Sequence, residues 1–169
     1  MTGLTRTITV GGVSRPELLE RLRAAGVQLN ESGEQLFADV RFTTSDSPTK
    51  ITTVELTVAD LGLAEGATTA EIMRHAEGAG LMVCPLELGP HLRLEYVDQP
   101  EGFVGQPVRP HAAPVGSITV MSAPISTDDG VPKGFYLRRI EGLLWLRGYH
   151  AGDDHVWSPD DHLLFAVPD

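Results

Sequence analysis

Apolar residues recur at helical spacing in three stretches. In SRPELLERLRAAG, Leu18, Leu19, Leu22 and Ala25 share one face. Ser14 and Glu17 have capping-box spacing, Pro16 falls in the first turn and Gly26 follows as a stop, which predicts a helix over Arg15–Ala25. Asn30 is placed to cap a second, shorter helix through Gln35, Leu36 and Phe37. Thr68 and Glu71 form another capping-box pair, ahead of a helix with Ile72, Met73 and Ala76 on one face and an end near Gly78 or Gly80.

Elsewhere the period is two. Thr7–Val10 reads as a short strand, and Val54, Leu56 and Val58 alternate with polar residues in TTVELTV. HLRLEYV alternates as well. As a strand it puts Leu92, Leu94 and Tyr96 on one side and His91, Arg93 and Glu95 on the other. Ser117–Met121 and HLLFAV are further strands. FYLRRI and LLWLRGY flank Glu141-Gly142, the pattern of a hairpin with a two-residue turn.

The polar run TTSDSPTK is the best linker. It divides the chain into a small N-terminal helical subdomain, 1–48, and a main body, 49–169. Helices early and strands late predict an α+β fold with a mostly antiparallel curved sheet and a few helices. Gln99–Pro114, rich in proline and glycine, is expected to be a long loop.

Charge narrows the partners. The 169 residues carry a formal net charge of −10, and Lys50 and Lys133 are the only lysines. Polyanion binders cluster Lys and Arg, so nucleic acid is not an expected partner. There is no run of eighteen apolar residues and no secretory h-region, and Cys84 is the single cysteine. These features suggest a cytoplasmic protein that does not engage membranes. Lys50 precedes Ile51 and Lys133 precedes Gly134, so no nucleotide phosphate loop is present.

The runs CPLELGPHLRLEYVDQPEG, PKGFYLRRIEGLLWLRGY and HVWSPDDHLLF, with the stretch around Gln28–Phe37, resemble a bacterial protein family of undetermined activity. Its members often carry the label "helicase". The resemblance implies no particular chemistry. A helicase motor needs a phosphate loop and two nucleotide-handling domains, and neither fits this chain.

The hairpin carries the main candidate site. Its turn pairs Ile140 with Leu143, Arg138 with Trp145 and Tyr136 with Arg147. Phe135, Leu137, Leu144 and Leu146 then fall on a core face, with Tyr136, Arg138, Trp145, Arg147 and Tyr149 on the other. Interleaved guanidiniums and rings can stack a planar ligand and fork onto a carboxylate or phosphate. The bland alternative is a solvated face braced by cation–π pairs. His91 and Glu95 are candidate acid–base residues and Arg93 a further ligand-binding residue, provided that their strand face adjoins the hairpin.

Weaker candidates are His150, His155 and His162 among Asp153, Asp154, Asp160 and Asp161 as metal ligands, and Cys84 with His91 as a nucleophile pair. The histidine spacing fits no metal motif, and no metal site is assigned. Gly11-Gly12 before a helix is a plain turn or, less favoured, an anion nest. The expectation is a protein that binds, and acts on if it is an enzyme, a small anionic or aromatic molecule. Its sequence names no cofactor and leaves room for a homodimer. The alternative is an interaction or regulatory module using the same face and the 99–114 loop.

Overall fold

The computed structural model describes residues 3–102 and 116–169. Seven strands form one sheet in the order β1-β3-β9-β5-β6-β7-β2. They are β1 (Leu4–Val10), β2 (Gln28–Leu29), β3 (Thr49–Thr57), β5 (Ile118–Val120), β6 (Gly134–Ile140), β7 (Leu143–Tyr149) and β9 (His162–Ala166). A two-stranded ribbon joins β4 (Ala67–Thr68) to β8 (Val156–Trp157). The helices are α1 (Arg15–Ala24), α2 (Glu31–Ala38), α3 (Thr69–Gly78) and α4 (Leu88–Glu95). The protein is α+β. Its sheet is mixed but mostly antiparallel, with β2–β7 and β5–β9 as the parallel pairs.

Three helices begin as their sequences require. The Ser14 side chain accepts from the Glu17 N–H, Asn30 accepts from Gly33, and Thr68 and Glu71 close a reciprocal capping box. Strand alternation then sorts the core into two layers. On one face of the sheet, Ile8, Val10, Leu137, Leu146 and Leu164 pack with Leu18 and Leu22 of α1, Leu36 and Phe37 of α2, and Leu88 and Leu92 of α4. On the other, Val54, Leu56, Leu163 and Phe165 pack with Ile72 and Ala76 of α3 and with Trp157 of the ribbon. Full burial of each such side chain contributes about 2 kcal/mol.

The boundary expected at 48/49 falls at the start of β3. Residues before it supply β1 and β2, the two edges of the sheet that later residues complete. Phe37 and Phe42 lie with ring centroids 5.6 and 5.9 Å from that of Phe135 in β6. The stretch read as the strand HLRLEYV is a correction: Leu88–Glu95 is helix α4. Leu88 and Leu92, four apart, are both fully buried, so the helical period governs packing there. Pro90 is tolerated because first-turn N–H groups need no intrahelical acceptor. Of the expected 99–114 loop, residues 103–114 lie outside the described residues. Among the described residues no helix is long and apolar enough to cross a membrane.

Candidate functional site

The hairpin forms in the register read from the sequence, with Tyr136 opposite Arg147, Arg138 opposite Trp145 and Ile140 opposite Leu143. Glu141 and Gly142 both have positive φ, 53° and 75°, as a tight hairpin turn demands. Phe135, Leu137 and Leu146 are buried beneath α2 and α4. Tyr136, Arg138, Trp145 and Arg147 point to the opposite face and are half-buried. Asn30 fixes the outer side of β7: its Oδ1 accepts from the Gly148 N–H and its Nδ2 donates to the Gly148 carbonyl.

Arg147 is held in place. Its Nε donates to the Tyr136 hydroxyl at 2.8 Å. Its guanidinium carbon lies 5.0 Å from the Trp145 ring centroid and 5.9 Å from that of Tyr136. Among the described residues neither Arg138 nor Arg147 reaches a carboxylate, and Arg138 Nε is buried without an acceptor. Arg6, Arg21, Arg23, Arg41 and Arg139 each reach a glutamate or aspartate. Arg41 holds the Asp39 carboxyl down at about 2.

The other two expected binding residues are not open on this face. Tyr149 has the right strand phase, but the ribbon covers it. Its ring meets Trp157 edge-on at 5.9 Å, and burial raises its hydroxyl pKa above the ordinary value. Arg93 is fully buried on the helical side of the sheet. It donates to the carbonyls of Tyr96, Arg138 and Trp145 and to Gln99 Oε1. Burial pulls its pKa down to about 10. Gln99 in turn donates to the Gly116 and Leu137 carbonyls. Arg93 therefore ties α4 to the backbone beneath Arg138 and Trp145, and cannot touch a ligand on the far face.

His91 and Glu95 also belong to α4, across the sheet from the guanidiniums. The structure does not bring the expected acid–base pair to the clamp. His91 is 9 % exposed, and its Nε2 accepts the Gly11 N–H at 3.2 Å. Glu87 is buried beside it. Glu87 Oε1 accepts from the Ser45 N–H and hydroxyl at 3.0 and 2.8 Å. Its Oε2 lies 4.0 Å from His91 Nε2. Burial lowers the His91 pKa below the usual histidine value, Arg21 adds to this, and Glu87 and Glu95 oppose it. Gly12 donates to the Ser45 carbonyl, so both turn N–H groups are engaged within the protein. Cys84 is not partnered with His91. Its thiol points to the Leu164 carbonyl, and burial pushes its pKa up to about 12, which leaves no reactive thiolate.

The C-terminal histidines separate. His150 bonds to Ser32 and the Asp129 carbonyl, and His155 packs edge-on to Trp157. His162 bonds through Nδ1 to Glu55 Oε1 at 2.9 Å, and Glu55 Oε2 accepts from Arg6 at 2.8 Å. The Arg6 guanidinium stacks 4.6 Å from the Tyr96 ring centroid. Glu55 raises the His162 pKa above its ordinary value. Burial works against the charged Glu55, but His162 and Arg6 together outweigh it and lower its pKa. Among the described residues no group of three or more His, Cys, Asp or Glu is arranged to hold a metal ion. Sequence reading missed the Arg6–Glu55–His162 group, whose members come from three strands. The alternation in β3 was the one available hint, since it puts Glu55 opposite Val54 and Leu56.

No protein-family model, curated protein or solved structure matches this chain.

Proposed function

We propose that the chain binds a small molecule carrying a carboxylate or phosphate beside a flat ring, on the β6–β7 face formed by Tyr136, Arg138, Trp145 and Arg147. One observation carries the reading. In a protein of net charge −10, two guanidiniums share a face without a carboxylate partner among the described residues, one of them already set against two rings. Arg147 spends its Nε on Tyr136, which leaves its terminal nitrogens to fork onto an anion. Trp145 offers a wall for a planar group. The reading is of binding, because His91 and Glu95 lie across the sheet. Unwinding of nucleic acid forms no part of it.

Thermal melting of the full chain with benzoate, phenyl phosphate and inorganic phosphate tests the proposal. A ligand at a hundred times its Kd should raise the midpoint by about 5 °C or more. The Arg138→Ala/Arg147→Ala double substitution should abolish that rise, read against the variant's own unliganded midpoint. No rise with any compound, or an undiminished rise in the double variant, would overturn the proposal. A second reading is a protein-interaction face. Leu143, 46 % exposed, extends the row of Trp145 and Arg147 on the same side.

A further inference from the structure

We propose that Glu87 and His91 form an acid-operated latch on the loop between β1 and α1. The geometry has two alternative bonding patterns and room for one at a time. In the structure His91 Nε2 accepts the Gly11 N–H, so that nitrogen carries no proton and the imidazole is neutral. Glu87 Oε2 lies 4.0 Å from the same nitrogen, buried and without a hydrogen-bond partner among the described residues. An unpaired carboxylate oxygen at such a depth is costly, and a donor that reached it would be strongly bound.

A proton taken from solvent onto Nε2 reverses the roles. Nε2–H can no longer accept from Gly11, and the buried Glu87 Oε2, 4.0 Å away, is placed to accept from it. The imidazolium then donates to the carboxylate, and the Gly11 N–H is released.

The consequence extends beyond one bond, because the same residues close a ring of contacts. Gly12 N–H donates to the Ser45 carbonyl, while the Ser45 N–H and hydroxyl donate to Glu87 Oε1. The ring joins three segments: the β1–α1 loop, the 43–47 segment and the first turn of α4. Gly11 has φ +99°, and a Cβ there would collide with the Ser47 carbonyl oxygen, so the loop has one way to fit. Loss of the Gly11 bond therefore loosens the loop against the 43–47 segment.

The charged groups facing His91 are Glu87 and Glu95 from its own helix and Arg21 from α1. The two glutamates favour the imidazolium, and burial with Arg21 disfavours it. The latch is thus closed at neutral pH and opens as pH falls, at a point below the ordinary histidine value of 6.5.

Amide hydrogen exchange of the full chain, followed residue by residue by NMR and corrected for intrinsic rates, tests this. Protection at Gly11 should fall by up to about tenfold for each pH unit on the way down to the pKa of His91 and level off below it, because the open form accumulates with proton concentration until the imidazolium dominates. Amides of β9 should hold their protection over the same range. His91→Gln keeps an acceptor for Gly11 but cannot titrate, so its Gly11 protection should stay level. Glu87→Gln removes the carboxylate that receives the imidazolium, so the fall should begin at lower pH than in the unaltered protein. Constant Gly11 protection across the whole titration of the His91 imidazole, followed in the same samples by NMR, would overturn the latch, and so would an equal fall in His91→Gln. If His91→Gln does not fold, Glu87→Gln decides alone: a fall at an unshifted pH overturns the proposal.

Discussion

Glu87 with His91 and Glu55 with His162 are the same chemical pair in opposite settings. Glu87, just ahead of α4, and His91, in its first turn, lie under a loop, with the carboxylate and imidazole 4.0 Å apart and the histidine proton-free at Nε2. Glu55 and His162 sit on adjacent strands near the surface, with Nδ1 donating to the carboxylate at 2.9 Å. The buried histidine has its pKa lowered and the surface one has its pKa raised. Proximity of a glutamate does not decide the charge of a histidine. What decides is whether the imidazole nitrogen is already spent on a backbone donor, and how much water has been removed.

The largest expected effect comes from breaking the buried pair's scaffold. Gly11→Ala forces a side chain into a positive-φ position against the Ser47 carbonyl, at a cost of about 3 kcal/mol. Urea unfolding should show that loss. The His91 pKa, read by NMR, should climb toward the ordinary value, so that the two histidines titrate more alike. A smaller effect is expected at the surface. Glu55→Gln weakens the bonds to both Arg6 and His162 and should cost about 1 kcal/mol at neutral pH. Its diagnostic reading is the His162 pKa, which should drop to about the unpaired value of 6.5.

The smallest effect, a few tenths of a kcal/mol, belongs to His162→Gln, because that side chain is 47 % exposed and screened. Its pH dependence has a definite sign. The folded pKa of His162 is raised, so its contribution is complete below about 6.5 and vanishes as pH climbs through the folded value. His91 runs the other way. Its folded pKa is lowered, so its contribution is complete above about 6.5 and is lost as pH descends through the folded value. Chemical denaturation of His91→Gln and His162→Gln across pH 5 to 8 should therefore give differences from the unaltered protein that trend in opposite directions. Parallel trends would refute the contrast.

Capping residues and period-two runs were enough to locate α1, α2, α3, the hairpin and β9. The turn Glu141-Gly142 fixed which hairpin residues share a face. The helix α4 was not legible, because Leu88, Leu92, Leu94 and Tyr96 satisfy both a four-residue and a two-residue repeat. Eight residues are too few to separate the two. Read as a strand, the stretch offered His91, Arg93 and Glu95 a common face that could adjoin the hairpin; as a helix it lies across the sheet from the guanidiniums. Arg93 left no trace in the pattern, since its partners are mainly backbone carbonyls, which every residue has. The cover over Tyr149 comes from Trp157 in a two-residue strand, too short to announce itself. The face of Tyr136, Arg138, Trp145 and Arg147 was legible because it depends only on a local ribbon.

The strand order also governs how the chain reaches its native state. β9 is inserted between β3 and β5, so the middle of the sheet is made from residues 162–166. While it is being synthesised, the polypeptide carries the raw edges of β3 and β5 open until residues 162–166 have been made and can pair with both. During that interval β3, nine residues long, is the place where chaperones would be needed or where neighbouring polypeptides would stick.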